Sequence, residues 1–190
     1  MAAAEFGVEH ARSVAADLLG NNEDRWRHTV GVAEYAATLT VIVPAEEGEV
    51  LVAAAWLHDI GYSPTLRETG LHPLDGAAHL DRHGWSPRIS ALVAHHSGNR
   101  FLAHARGLDD VLSRYPDEQS VVSDALTYAD QRIGPYGQHM SIQARLADKI
   151  TRHGPASVQA QVRSERDPYL IAIGERVERR LRDTGQSTWN

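Results

Sequence analysis

Apolar residues recur at helical spacing along most of the chain, and the strict alternation typical of half-buried strands is almost absent. Val32, Ala36, Leu39 and Val43 follow one another at intervals of three or four residues, as on the buried face of a helix. Glycine and proline residues interrupt the pattern at intervals and mark the helix ends. The pattern predicts an all-α fold, a compact single-domain helical bundle.

The helix boundaries follow from the residues that break each periodic segment. The predicted helices cover about residues 3–19, 23 up to Pro44, 46–60, 73–84, 86–96, 118–133, 141–153 and 167–183, with shorter pieces near 99–114 and a loop over 62–71. No internal repeat or linker-like stretch divides the chain, so we expect one domain over residues 1–190 with a core at about 23–150. The tail 184–190 is expected to be frayed.

Composition restricts the partners that the protein is expected to have. The 190 residues include 19 Lys and Arg against 25 Asp and Glu, a formal charge of -6, which argues against a broad basic surface for nucleic acid. No apolar run approaches the roughly 18 residues of a membrane span, and the first residues lack the features of a signal peptide. We therefore expect a cytoplasmic protein without nucleic-acid or membrane partners, and its oligomeric state stays open.

Histidine is the unusual component of the sequence, and cysteine is absent. Eleven histidines are spread from His10 to His153, whereas the lack of cysteine excludes disulfides, iron–sulfur clusters and thiol catalysis together. Any bound metal must therefore be held by histidine and carboxylate side chains.

Several polar residues continue the apolar faces of the predicted helices. His28 precedes Val32 by four residues, His58 and Asp59 extend the face of the third helix, and Asp130 follows Leu126 by four. A lone histidine on such a face is most often a hydrogen-bonded core residue. Four buried polar groups are rarely tolerated independently, because each needs a partner or loses its charge. Convergence on a metal ion removes that cost, and His96 continues a fourth apolar face in the same way.

Three ordered motifs carry a family resemblance. They are Arg25-x-x-His28, the run Trp-Leu-His-Asp-Ile-Gly with His58 and Asp59, and Ala-Leu-Thr-Tyr-Ala-Asp ending at Asp130. The set resembles the HD-domain superfamily of metal-dependent phosphohydrolases over about residues 23–150. Two further segments, one beginning at His72 and one containing His95 and His96, resemble the additional histidine motifs of binuclear HD proteins.

The resemblance implies two metal ions that share one carboxylate. The first would take His28, His58, Asp59 and Asp130, and the second would take His72 and His96, with His95 as a further candidate and Asp59 as the bridge. The ions would be divalent transition metals, with iron or manganese favoured and zinc, cobalt or nickel also compatible. If these two residues are not ligands, we expect His72 to be a polar residue at a helix N-terminus and His95 to be a surface histidine. We assign the remaining candidates to structural or surface positions: His79, His83, His104, His139 and His153.

A binuclear site of this kind favours hydrolysis of a small phosphoester by metal-activated water, with nucleotides among the candidate substrates. Asp59 is the bridging catalytic residue, and general acid or base work falls to His95 or Asp75. Asp75 is equally expected as a first-turn residue that the helix dipole favours. The candidates for binding the phosphate are Arg25, Arg67, Arg100, Arg132 and Lys149, each of which is alternatively a solvated surface residue.

Tyr62 departs from the pattern of many phosphohydrolases of the superfamily, which have lysine at this place. Two other functions therefore stay open. Some HD proteins, such as inositol oxygenase, use a mixed-valent di-iron centre to activate dioxygen, and the same six ligands resemble theirs. A metal-stabilised module that binds a nucleotide without turnover is the third hypothesis.

Overall fold

The computed structural model describes residues 7–185, and the regular structure in that range is helical apart from one isolated β-bridge between Ile133 and His139. The α-helices are α1 (Val8–Leu19), α2 (Glu23–Thr38), α3 (Gly48–Leu57), α4 (His72–Arg82), α5 (Pro87–His95), α6 (Asn99–Ala105), α7 (Asp109–Leu112), α8 (Val121–Arg132), α9 (Ile142–His153), α10 (Val158–Gln161) and α11 (Arg163–Asp183). Short 3₁₀ turns cover Leu39–Ile42, Ala45–Glu47, Ile60–Tyr62, Pro64–Leu66 and His96–Gly98. The predicted all-α fold is confirmed.

Helices α3 and α8 form the centre of the bundle. Helix α3 is apolar around most of its circumference and packs against α1, α2, α5 and α8. Helix α8 packs against α2, α3, α5, α9 and α11 and buries residues on nearly all of its turns. A helix that is apolar all round belongs in the interior of a bundle. The carboxyl-terminal parts of these two central helices therefore end inside the protein, where polar side chains need partners.

The observed α3 is shorter than the predicted helix over 46–60. It ends at Leu57, because the Nδ1 atom of His58 lies 2.7 Å from the Ala55 carbonyl oxygen and takes a backbone group left free at the helix end. Helix α2 likewise ends at Thr38, and Leu39–Ile42 continue as a tighter 3₁₀ turn that contains β-branched residues.

The last helix begins at Arg163, four residues before the predicted start, and continues through Pro168. Because Pro168 lies in the second turn, its missing N–H removes one bond near the helix start and leaves the remaining turns intact. The sequence pattern also did not indicate α10. The predicted first residues of α1, 3–6, and most of the predicted frayed tail, 186–190, lie outside the described residues.

Gly61 lets the 3₁₀ turn after α3 contact the first turn of α4 directly. A Cβ atom at this position would lie 1.9 Å from the His72 carbonyl oxygen and 2.7 Å from the Gly76 nitrogen. Both neighbours are backbone atoms, which cannot move aside as a flexible side chain can. This close approach keeps the start of α4 next to the residues that follow α3.

We predict that Gly61→Ala lowers the free energy of unfolding by about 3 kcal/mol, because the added methyl forces backbone of two elements apart. Urea denaturation followed by circular dichroism measures the change. Gly48→Ala is the matched control: Gly48 has helical φ and ψ, and its Cβ would meet the Thr40 side chain at ordinary contact distances of 3.4 and 3.6 Å. We expect that control to stay within about 1 kcal/mol of the wild type, and an equal effect of both substitutions would contradict the close-contact explanation.

Candidate metal centre

His28, His58 and Asp130 converge at the centre of the bundle. The His28 Nε2 atom lies 3.0 Å from Asp130 Oδ1 and 3.4 Å from His58 Nε2, and all three residues are buried. Helix α2, the end of α3 and helix α8 each supply one of them. One ligand atom from each lies within 4.8 Å of the others, so this group could hold a metal ion.

Asp59 joins this group to a second group that contains His96. Its Oδ2 atom lies 3.3 Å from His58 Nε2 and 3.5 Å from His28 Nε2. Its Oδ1 atom lies 3.1 Å from His72 Nε2 and 3.9 Å from His96 Nε2. The two oxygens thus face different imidazoles, which is the arrangement that a bridging carboxylate requires. His58, Asp59 and His96 form the second group that could hold a metal ion.

The Nδ1 atoms of three of these imidazoles are held by backbone carbonyls. His28 Nδ1 lies 3.0 Å from the Gly134 oxygen, and His96 Nδ1 lies 2.6 Å from the Val93 oxygen. His58 and His96 use the same arrangement, since each follows the end of a helix and bonds the carbonyl three residues back. Because carbonyls only accept, each Nδ1 is the donor, which leaves each Nε2 as the ring nitrogen available to a metal ion.

This set of donors fits a divalent transition metal. The Nε2 atoms of His28 and His58 are 3.4 Å apart, and once both are unprotonated they cannot hydrogen-bond each other. A cation between them is a shared partner for both lone pairs. Imidazole nitrogen combined with carboxylate oxygen suits iron, manganese, cobalt, nickel or zinc.

The two carboxyl groups are ionised in this environment. Burial alone would raise their pKa values, but the charges of His58 and Arg25 outweigh it for Asp59 and hold its pKa well below the usual value. For Asp130, the hydrogen bond and charge of His28 likewise overcome burial and lower the pKa. Both residues therefore offer charged oxygens to a cation.

Most of the imidazoles favour the neutral form that binds metal. Burial lowers the pKa of His28 and His72, and burial together with the neighbouring His58 and His72 lowers the pKa of His96 to about 3. For His58, burial acts in the same direction, but the Asp59 charge outweighs it and raises the pKa. A metal ion bound at His58 Nε2 would displace that proton.

Asp130 is held in place by Ser97 and Gln131. The Ser97 hydroxyl and the Gln131 amide both donate to Asp130 Oδ2, the latter at 2.7 Å. Gln131 in turn accepts from Lys149 Nζ at 2.9 Å. Ser97 has φ +57°, a left-handed conformation that is uncommon for serine and that turns its hydroxyl toward Asp130. These contacts fix the orientation of one potential ligand.

The centre opens to solvent through a cavity of about 60 Å³. Arg25 lies at this opening, where its guanidinium is 2.6 Å from Asp59 Oδ2 and 3.9 Å above the Tyr62 ring. Tyr62 stacks on His72 with 3.9 Å between the ring centres. The cavity wall also includes six side chains of α9, α10 and α11: Arg145, Lys149, Arg152, His153, Gln159 and Arg166.

The structure brings together six of the seven predicted metal ligands: His28, His58, Asp59, His72, His96 and Asp130. Arg25 and Lys149, which were predicted to bind substrate, line the same cavity. His153, which was assigned to a structural or surface position, lies there as well. Metal binding by the six residues stays a prediction.

The structure does not bring His95 or Asp75 to the centre. The His95 Nε2 atom lies 2.8 Å from the Tyr115 carbonyl, and the side chain lines a separate cavity of about 310 Å³. The Asp75 carboxylate is buried and accepts from Thr69 N, Thr69 Oγ1 and Gly70 N at 2.7 to 3.0 Å. It lies in the first turn of α4, where the alternative assignment placed it, and it ties the preceding loop to that turn.

Three further residues that were predicted to bind substrate also lie elsewhere. Arg67 is exposed on the loop next to Gly70 and is not part of the cavity wall. Arg100 lies 4.2 Å over the Tyr169 ring and 3.8 Å from Asp117, beside the separate cavity. Arg132 is 3.0 Å from the Tyr128 hydroxyl on the opposite side of α8. None of the three faces the predicted metal ligands.

Sequence reasoning missed several residues of the centre and its cavity. Arg145 and Arg152 lie four residues before and three residues after the predicted Lys149, which places all three on one face of α9, and that spacing is a signal that could have identified the two arginines. Ser97 and Arg166 offer no comparable signal, because the first depends on a left-handed backbone and the second on the packing of α11.

A protein-family model described as HD domain matches residues 25–153, about two thirds of the chain. The chain belongs to the HD-domain family. The match includes all six converging side chains of this HD domain and ends before Arg166. Searches of curated proteins and of solved structures gave no match. Within residues 7–185, no helix is long and apolar enough to cross a membrane.

Added Mn²⁺ or Fe²⁺ is predicted to raise the melting temperature of the chelator-treated protein. An ion bound only by the folded state at a hundred times its Kd stabilises it by about 2.7 kcal/mol. His58→Ala, which removes a side chain shared by both groups, should abolish the shift. His104→Ala on the exposed surface should retain it. A wild-type melting temperature that ignores both ions would contradict the metal assignment.

His72→Ala is predicted to lower the metal content of the loaded protein from about two ions per chain toward about one. His72 contacts Asp59 Oδ1 on the side away from His28, so its loss should affect mainly the second position. Elemental analysis after gel filtration measures the ratio, and His28→Ala should instead empty the first position. Equal metal content in the wild type and the His72 variant would show that His72 is not a ligand.

Proposed function

We propose that this HD domain is a metal-dependent phosphohydrolase that acts on a small phosphoester. The observation that carries the proposal is the position of the His and Asp cluster beneath a cavity whose wall is rich in cationic side chains. Divalent ions held by this cluster would activate a water molecule and polarise a phosphoryl oxygen. The bound ions and the cationic side chains would both attract a phosphate group of the substrate.

Asp59 is the residue on which both halves of the cluster depend. Its two oxygens face the Nε2 atoms of His28 and His58 on one side and of His72 and His96 on the other. Its charge would therefore compensate cations bound at either position. Asp130 supports only the first position, where it contacts His28.

Arg25 supplies a cation next to Tyr62, the position at which many related phosphohydrolases have lysine. Its guanidinium stacks on the Tyr62 ring and contacts Asp59, so positive charge is present at the cavity opening although position 62 is uncharged. Ligand binding can redirect the Arg25 side chain from the carboxylate to a phosphate oxygen, because a guanidinium pairs with either group. The tyrosine is thus compatible with phosphoester chemistry.

The decisive assay is phosphate release without oxygen. Manganese-loaded protein under strictly anaerobic conditions should release phosphate from a panel of small phosphoesters, because activation of water by a Lewis acid needs no electron transfer. Asp59→Asn should lower kcat/KM by at least about a thousandfold while far-UV circular dichroism stays helical, whereas His104→Ala should match the wild type.

Two other outcomes of these assays would contradict the hydrolase proposal and support a different function. Activity that requires iron and dioxygen and yields a product by oxidation would identify the di-iron oxygenase alternative. Tight nucleotide binding with no turnover under either atmosphere would identify a non-catalytic module. Both outcomes leave the ligand set itself intact.

A further inference from the structure

His72 differs from the other three imidazoles of the candidate metal centre. The Nδ1 atoms of His28, His58 and His96 each lie within 3.0 Å of a backbone carbonyl oxygen, which fixes the orientation of those rings. The His72 Nδ1 atom has no such partner within residues 7–185, and its side chain is 20% exposed, whereas the other three imidazoles are buried. A different contact must therefore orient this ring.

Tyr62 supplies that contact. Its ring stacks on the His72 imidazole with 3.9 Å between the ring centres and 19° between the planes. The Nε2 atom of the stacked imidazole lies 3.1 Å from Asp59 Oδ1, the oxygen on the side of His96. A large rotation of the imidazole would break the stack or drive the two rings into each other. The stack therefore does for His72 what a backbone carbonyl does for each of the other three.

A 3₁₀ turn brings Tyr62 to this place. Asp59 and Tyr62 are three residues apart, and the Tyr62 N–H donates to the Asp59 carbonyl oxygen at 3.0 Å. Side chains three positions apart lie on the same side of such a turn. The turn thus aligns the tyrosine with the carboxylate around which the candidate ligands are arranged.

Arg25 occupies the opposite face of the Tyr62 ring. Its guanidinium carbon also lies 3.9 Å from the ring centre, and two planar groups at this distance cannot fit side by side over one six-membered ring. The electron-rich face of the ring attracts the guanidinium, whose Nη1 atom lies 2.6 Å from Asp59 Oδ2. The four side chains therefore form a closed ring of contacts, in which Arg25 reaches one carboxylate oxygen and His72 reaches the other.

Two other roles for Tyr62 agree less well with these contacts. A residue that stacks on a nucleobase needs a free ring face, and both faces are covered by protein side chains. A residue that only completes the core would be buried, whereas Tyr62 is 40% exposed. The contacts of the ring are directed instead at the two groups that approach Asp59 from the cavity opening.

We propose that Tyr62 is a positioning residue for the second metal position. Its ring holds the His72 imidazole with Nε2 toward Asp59 and keeps Arg25 on the other carboxylate oxygen. The inference rests on the predicted binding of two ions, on which the proposed hydrolysis also depends. It assigns a role to the tyrosine that replaces the lysine of many related phosphohydrolases.

Manganese titration of the chelator-treated protein by calorimetry tests the proposal independently of activity. Tyr62→Leu removes both stacking contacts and should weaken binding of the second ion by about tenfold, because an imidazole that rotates freely must lose that freedom on binding. Binding of the first ion should stay within about twofold of the wild type. Tyr62→Phe keeps the ring and removes only the hydroxyl, so it should bind both ions within about twofold of the wild type.

Two controls separate positioning from a general effect on the fold. Tyr136→Leu is the matched variant, because Tyr136 is an exposed tyrosine that is not part of the cavity wall, and it should bind both ions as the wild type does. The two dissociation constants are measured in the same protein. A general loss of structure would weaken both ions together and so cannot imitate the expected result.

The outcomes for this proposal and for the hydrolytic function differ. An unchanged second ion in Tyr62→Leu, equal weakening of both ions, or a loss that Tyr62→Phe shares would overturn the positioning role and leave the hydrolase proposal intact. Uptake of only one ion by the wild type would overturn the positioning role as well. The expected split between the two ions, together with no phosphate release from any phosphoester, would contradict the hydrolytic function alone.

Discussion

The structure depends on one buried carboxylate surrounded by cationic and neutral nitrogen groups. Asp59 lies within 4 Å of four imidazole Nε2 atoms and of the Arg25 guanidinium. A buried charge of this kind is costly unless several partners satisfy it at once. Those partners come from α2, from the residues after α3, from α4 and from the turn after α5. The position of Asp59 therefore requires the packing of four separate segments.

The helix ends explain how these segments can meet in the interior. Backbone carbonyls are left free where α3 and α5 end, and His58 and His96 bond them through Nδ1. The same contact turns the opposite ring nitrogen toward Asp59. Gly61 then permits α4 to approach closely enough for His72 to reach the carboxylate. The same hydrogen bonds therefore satisfy free carbonyls at the helix ends and orient the potential ligands.

Helical periodicity predicts the fold class and the convergence of side chains that continue apolar faces, because burial imposes the same spacing on polar and apolar residues. His28 and Asp130 are examples. The pattern cannot predict side chains whose direction depends on tertiary packing. His95 adjoins His96 in the sequence yet bonds the Tyr115 carbonyl, and Asp75 binds its own preceding loop. Arg166 enters the cavity because of where α11 lies, which no local pattern encodes.

Anomalous diffraction from crystals grown with manganese tests the central claim most directly, because it locates the ion independently of any activity. Anomalous density is expected between Asp130 and the Nε2 atoms of His28 and His58, with further density between Asp59, His72 and His96. Density at surface carboxylates alone, with none inside the cluster, would contradict the metal centre and the chemistry proposed for it.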